Sequence, residues 1–305
     1  VTLTVSVPTE KLAGDLGALP ADVDLVVWPM DGPAPRPRFD IVVPPYMEMA
    51  TVLARLEGVP TRLVQSQSIG YEGVEEVLPR GLTFANAATV HETSTAELAV
   101  GLAIAAQRHL DRFAVDTAAG RWQPVFTQSL ADRRVLLLGY GGVGKAVAAR
   151  LAPFEVQLTA VASRAREEDG MPVHGVDELP SLLGAAEIVI LTLPGGDATR
   201  GIVDDAFLAA LPDGALVVNV GRGSLVDTDA LVDHVRRGRV RAAIDVVDPE
   251  PLPPGHPLWS LPGVLVTPHV GGASSAMGPR IARLVRSQID RMLAGEEPRN
   301  VVLGG

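Results

Sequence analysis

RRVLLLGYGGVGKAVAARLA, residues 133–152, holds the local rules that decide the fold. VLLL is apolar with no polar alternation, the mark of a strand covered on both faces. Gly139, Gly141 and Gly144 follow, then a helical pattern that reaches Ala148, so the stretch matches G-x-G-x-x-G-x-x-x-A. The first glycine permits a tight turn and the second lets the backbone approach a pyrophosphate. The third lets the helix pack closely on the strand. Alone the motif occurs by chance; between a strand and a helix it reads as a dinucleotide-binding turn.

Working outward, the same alternation continues. Strands are expected at 156–162, 187–194, 215–221, 240–246 and 264–268, separated by helical segments such as AFLAALP and TDALVDHVRRG. Apolar strands with helices between them indicate a parallel sheet. Upstream, residues 1–7, 24–28, 40–45, 61–67 and 81–87 read as a second set of strands, with a helix at 49–57 and a proline-rich loop at 31–39. Residues 94–106 form the strongest helix, expected to be capped by Thr93 or Ser94 with Glu97 closing a capping box. Its small apolar residues imply burial, expected between domains. A long amphipathic helix at 276–296 leads to a last strand, RNVVL.

Composition sets outer limits. With 305 residues, 47% of them hydrophobic, the chain has material for two cores. A net charge of −10 argues against nucleic-acid and membrane-surface partners, since polyanions need concentrated positive charge. There is no cysteine, which excludes disulfides and thiolate chemistry. No His/Asp/Glu cluster shows metal-ligand spacing, so no metal site is expected and a metal-dependent hydrolase is disfavoured. VTLTVSVPTE reads as a first strand and not as a signal peptide, and the expected location is cytoplasmic.

In a doubly wound sheet, the carboxyl ends of the strands form one crevice. Here they carry unusual residues. Arg222 stands between two glycines, suited to bidentate recognition of a carboxylate. Asp245 ends the next strand and Glu250 follows on a proline-stiffened loop. His269, in TPHVGG, ends the last strand. An imidazole paired with a carboxylate keeps its proton near neutral pH and acts as a general acid. The strand about 20 residues beyond the glycine turn usually ends in a carboxylate that holds the ribose hydroxyls of NAD. TAVASRAR (159–166) offers Ala162, Ser163 and Arg164 instead. Small residues make room for a 2′-phosphate, Ser163 and Arg164 can bind it, and Arg166 is expected to add charge. NADP(H) is therefore favoured, with NAD(H) possible.

Together, the fingerprint 139–148, NVGRGSLVDTDAL (219–231), AIDVVDPEPLPPGHPLW (243–259) and TPHVGG (267–272) resemble the D-isomer-specific 2-hydroxyacid dehydrogenases. VQSQSIGYE (64–72) and TAELAV (95–100) extend the resemblance over nearly the whole chain. It implies an α/β protein of two doubly wound parallel-sheet domains with an interdomain cleft. One is a flavodoxin-like substrate domain, residues 1–94 completed by 283–305; the other is a Rossmann-type cofactor domain, 95–282. It implies Arg222, Glu250 and His269 as the catalytic trio, and substrate binding by the backbone amides of Ser68, Ile69 and Gly70 together with Arg222. Cofactor contacts are implied for Thr95, Gly139, Tyr140, Gly141, Gly142, Val143, Gly144, Ser163 and Arg164. They are also implied for Leu193, Pro194, Thr199, Val220, Gly221, Arg222, Asp245, His269 and Gly271, with Asp245 gripping the nicotinamide carboxamide. Glu155 departs from the family, where glycine commonly follows the Phe154 position, and a local turn is expected to change.

The expected activity is NAD(P)H-dependent reduction of a small 2-keto acid, of the glyoxylate/hydroxypyruvate kind, to the D-2-hydroxy acid. The motifs lie nearest the glyoxylate/hydroxypyruvate reductase branch, where a small residue followed by Arg goes with NADPH. The loop PPYME (44–48) is expected to reach the variable group of the substrate. An NAD-linked phosphoglycerate dehydrogenase is the alternative; with no regulatory domain after residue 305 and no cationic cluster for a phosphate, it is disfavoured. A nucleotide-sensing corepressor, a binding protein, is a more distant alternative. A homodimer is expected, with the 94–106 helix and the Trp122 loop suited to its surface.

Overall fold

The computed structural model describes residues 2–46 and 49–304, so Met47 and Glu48 of the PPYME loop lie outside the described residues. Two compact units divide the chain, Val1–His91 with Ser275–Gly305 and Glu92–Ser274. The expected second boundary, at 282/283, falls inside a helix. The division instead precedes that helix, whose apolar face belongs to one core and cannot be shared without breaking it.

The first unit opens with β1 (Leu3–Val7), α1 (Glu10–Leu16), β2 (Val23–Val27), β3 (Phe39–Val42) and α2 (Met49–Val52). β4 (Thr61–Gln65), α3 (Val74–Val77) and β5 (Thr83–Ala85) follow. The second unit runs through α4 (Glu92–Gln107), α5 (Leu110–Ala118), β6 (Arg134–Leu138), α6 (Gly142–Leu151) and β7 (Gln157–Ala162). It continues with β8 (Arg166–Glu168), β9 (Met171–Gly175), α7 (Leu179–Leu182), β10 (Ile188–Leu191) and α8 (Asp205–Ala210). It ends with β11 (Ala215–Asn219), α9 (Thr228–Arg236), β12 (Val240–Ile244) and β13 (Val264–Val266). The chain then returns to the first unit as α10 (Met277–Leu293) and β14 (Val301–Leu303).

Among the described residues the first unit holds a six-stranded sheet, order β14-β5-β4-β3-β1-β2. It is parallel except for β14, which runs antiparallel to β5. One face buries Val5, Val7, Ile41 and Leu63 with Ile281 and Val285 of α10. The other buries Val42, Val64 and Phe84 with Trp28, whose ring stacks on Phe39 at 5.4 Å between centroids.

The second unit holds an eight-stranded sheet, order β13-β12-β11-β10-β6-β7-β9-β8. Leu136 and Leu138 of β6 enter one core, and Val135 and Leu137 enter the other. Both faces are thus covered, which is why VLLL shows no polar alternation. β10, β11, β12 and β13 stop two or three residues earlier at their carboxyl ends than their apolar runs suggest, because those residues leave the ladder to build loops, while β7 ends at Ala162 as expected. The hairpin β8–β9 went unforeseen, although Asp169-Gly170 is a two-residue hairpin signal. Both residues have positive φ, 54° and 75°.

α4 begins at Glu92, ahead of the expected cap, so Thr93 and Ser94 lie inside the helix and the capping box is not formed. Its buried Ala96, Ala99, Leu102 and Ala103 join the core of the second unit around β6 and α6, and tertiary packing overrides the capping preference. Glu155 adopts φ 58°, the left-handed region that favours glycine, and its carbonyl accepts from the Asp132 N–H at 3.0 Å.

Gly144 sits where α6 meets the glycine turn. A Cβ there would collide with the carbonyl oxygen of Gly139, a backbone atom that cannot swing aside. Gly144→Ala is therefore expected to cost at least about 2 kcal/mol of stability by forcing helix and strand apart, measured by chemical denaturation. An unchanged midpoint would show that the turn has slack.

Candidate active site

Three adjacent strands of the second sheet deliver the expected catalytic residues to one edge. Arg222 follows β11, Asp245 and Glu250 follow β12, and His269 follows β13. The turn at Arg222 is shaped locally. Asn219 accepts from the Gly221 N–H at 3.0 Å and donates to the Arg222 carbonyl at 2.9 Å. A Cβ at Gly223 would run into the Val247 carbonyl, so that glycine lets the β11 and β12 loops touch. Arg222 itself donates to the Gly221 carbonyl at 2.8 Å.

His269 is half-buried, and its Nδ1 lies 2.5 Å from Glu250 Oε1. That contact makes Nδ1 the protonated nitrogen toward the carboxylate and leaves Nε2 for other chemistry. His269 has φ 53°, a strained conformation for a residue with a Cβ. Asp245 holds it there. This buried carboxylate, 3% exposed, accepts from the Thr267 hydroxyl at 2.5 Å and the Val270 N–H at 2.9 Å through Oδ1. Oδ2 accepts from the Gly271 N–H at 2.8 Å, and the His269 N–H donates to the Asp245 carbonyl at 2.8 Å. Two oxygens offer about four acceptor sites, so Oδ2 retains capacity for one more donor. Thr95 of α4 lies against the same loop, within 3.4 Å of where a Cβ on Gly271 would stand.

The glycine turn fits a dinucleotide. Gly141 caps α6 without a side-chain bond, leaving the first-turn N–H groups of Gly142 and Val143 toward an anion. A Cβ on Gly141 would meet nothing within 4 Å, whereas one on Gly142 would meet the Glu92 side chain, so the open space lies on the Gly141 side of the helix start. Thr192 anchors the turn by donating to the Gly139 carbonyl at 2.9 Å. Tyr140 and Val220 are buried beneath it, and the Leu193 carbonyl lies against Gly221. Thr199 donates to the Pro194 carbonyl at 2.8 Å, which orders that loop and leaves its oxygen as an acceptor.

Two expectations need correction. The Ser68 N–H already donates to Ser66 Oγ at 2.9 Å, so it is not open to a substrate carboxylate. The N–H groups of Ile69 and Gly70 have no acceptor among the described residues. Arg166 was expected to add free positive charge, but it is paired with Glu168 at 2.6 Å. Ser163 and Arg164 are exposed, and the Arg164 guanidinium has no partner among the described residues.

Thr192, Asn219 and Thr267 were not singled out in the sequence. Their signal is positional: each is a polar residue just where an apolar strand ends. A cavity of about 330 Å³ beside His109, Arg241 and Leu265 lies near the amino ends of β12 and β13 and includes none of the site residues. Among the described residues no three His, Asp or Glu gather to hold a metal, and no helix is long and apolar enough to cross a membrane.

Residues 100–271 match the family profile described as D-isomer specific 2-hydroxyacid dehydrogenase, NAD binding domain. The chain is 30% identical to hydroxypyruvate reductase of Thermotoga maritima, over 80% of this chain and 82% of that protein. It is 32% identical to D-3-phosphoglycerate dehydrogenase of Mycobacterium leprae, over 96% of this chain and 58% of that one. A crystal structure of a D-isomer specific 2-hydroxyacid dehydrogenase from Xanthobacter autotrophicus, in complex with NADPH and MES, is 28% identical with a TM-score of 0.81. That match covers 99% of this chain and 98% of the other.

Asp245→Asn replaces an acceptor with an NH₂ group facing backbone donors, at a cost of about 1–3 kcal/mol. Loosening of the loop around His269 is expected to lower both the thermal midpoint and turnover, the latter about tenfold or more. Wild-type values for both would remove Asp245 from this role.

Proposed function

Because the chain belongs to the D-isomer specific 2-hydroxyacid dehydrogenase family, and is thereby an NAD(P)-dependent oxidoreductase, we propose that it reduces a small unphosphorylated 2-keto acid with NADPH. Glyoxylate and hydroxypyruvate are the proposed substrates and the D-2-hydroxy acid the product. The observation that carries this reading is the His269–Glu250 pair at the same sheet edge as Arg222.

A nicotinamide cofactor, when bound, would supply the hydride for the keto carbon. Arg222 binds the substrate carboxylate and polarises the keto oxygen, with the Ile69 and Gly70 amides as the further proposed donors. His269 delivers the proton on Nε2 to the oxygen as negative charge develops there. Glu250 fixes the ring by its contact with Nδ1, which leaves Nε2 for the substrate oxygen. Asp245, through the remaining acceptor site on Oδ2, is the proposed partner of the carboxamide. The glycine turn and the start of α6 would hold the pyrophosphate.

Three observations support NADPH. Ala162, Ser163 and Arg164 stand where a carboxylate commonly ends the strand in NAD-binding folds; Arg164 and Ser163 are exposed there; and the Xanthobacter relative was solved with NADPH. The Mycobacterium leprae relative favours a second reading, an NAD-linked phosphoglycerate dehydrogenase. Initial rates with glyoxylate, hydroxypyruvate and 3-phosphohydroxypyruvate, each with NADPH and NADH, separate the two. We further propose a homodimer, because Trp122 and Phe126 expose nearly their whole rings, 94% and 107%, on a segment without regular structure. Trp122→Ser with Phe126→Ser is expected to give a monomer by light scattering; a wild type that is already monomeric contradicts this.

His269→Gln and Arg222→Ala are expected to lower turnover about 100-fold or more while nucleotide binding survives. Near-normal turnover in either would end the assignment. Arg164→Ala is expected to raise KM for NADPH about tenfold and leave that for NADH nearly unchanged, the loss of a charge-assisted phosphate contact. A wild-type enzyme that uses NADH as well as NADPH sinks the cofactor reading.

A further inference from the structure

The hairpin β8–β9 brings a chain of charges against the nucleotide turn. Its Asp169-Gly170 tip fixes the register, so Arg166 and Glu168, two residues apart, project from the same face of β8. Glu168 Oε2 takes Arg166 at 2.6 Å, and Oε1 takes Lys145 of the first turn of α6 at 2.5 Å. Lys145 also reaches Asp169 at 3.1 Å. The two neighbouring cations, first Lys145 and then Arg166, hold the Glu168 carboxyl below its usual range, and hydrogen bonds to Glu168 and Asp169 hold Lys145 above its own.

Arg166 has every guanidinium nitrogen engaged. Nε bonds Glu168, Nη2 reaches the Tyr140 carbonyl at 3.3 Å and Nη1 the Arg164 carbonyl at 3.4 Å. Tyr140 belongs to the glycine turn and Arg164 to the turn after β7. One side chain therefore ties the loop that receives a pyrophosphate to the loop that presents Arg164. Charge cannot be its contribution, because Lys145 and Arg166 are balanced by Glu168 and Asp169. A planar fork held by a carboxylate can set distance and angle, which a point charge cannot.

We infer that Arg166, locked by Glu168 and Lys145, is a positioning residue that sets the spacing between the pyrophosphate turn and Arg164, and thereby selects a 2′-phosphorylated dinucleotide. The inference rests on the NADPH reading and names a determinant of it. A phosphate contact is sensitive to displacements of about 0.5 Å, so a slack brace affects the 2′-phosphate first. The pairs are part-exposed and contribute little to stability, so variants keep the fold.

The test is calorimetric binding of adenosine 2′,5′-bisphosphate and of 5′-AMP to the full chain, without turnover. Arg166→Lys keeps the charge and loses the fork; it is expected to weaken the bisphosphate about fivefold or more and to change 5′-AMP less than about twofold. Glu168→Gln is expected to do the same, and the double variant to be no worse than either single one, since the residues act as a unit. Wild-type affinity in Arg166→Lys, or tighter bisphosphate binding in Glu168→Gln, overturns the inference, because a direct phosphate ligand would be strengthened by release from Glu168. If those results come with a large loss in Arg164→Ala, the NADPH reading stands and only the brace falls. If the wild type binds the bisphosphate no more tightly than 5′-AMP, both fall.

Discussion

A buried carboxylate must find donors, and the way Asp245 finds them organises one edge of the second unit's sheet. Its two oxygens collect the Thr267 hydroxyl and the N–H groups of Val270 and Gly271. Those partners lie on either side of His269, whose backbone has no freedom left and takes a conformation few residues with a side chain adopt. The strain is localised at the imidazole-bearing residue, and the hydrogen bonds to Asp245 supply the energy that sustains it. Without Asp245, TPHVGG would be a glycine-rich loop with an imidazole on it.

The rest of the edge follows from the parallel sheet. Parallel strands deliver all their carboxyl ends to one side, so β11, β12 and β13 need only short loops to bring a guanidinium, a carboxylate and an imidazole to adjacent positions. Close backbone contacts set how near those loops come. The Val247 carbonyl occupies the place of a Cβ at Gly223, and the Gly139 carbonyl occupies that place at Gly144. These glycines matter through the atoms they admit.

Charge near the nucleotide turn is distributed unevenly. Lys145, Arg166, Glu168 and Asp169 neutralise one another, and the Arg164 guanidinium stays outside that network. The positive character of the segment cannot be counted from its basic residues, because two of the nearby cations already have carboxylate partners. That leaves the Arg164 guanidinium as the cation of this segment without a carboxylate partner among the described residues.

The sequence by itself determined the α/β class, the two sets of strands, the dinucleotide turn and the positions of Arg222, Glu250 and His269 just beyond the ends of strands. Each of these rests on local signals: apolar runs, glycine spacing, and polar residues at strand ends. Only the tertiary structure decided which hydrogen-bond partners are taken. Ser68 looked like an open amide until Ser66 Oγ occupied it, and Arg166 looked like free charge until the β8–β9 hairpin set Glu168 beside it. α4 begins before its expected cap because its small residues pack on α6, and Asp245 reaches Gly271, 26 positions along the chain. Periodicity reports which face of an element is buried. It carries no information about which donor meets which acceptor, since that depends on where distant loops come to rest.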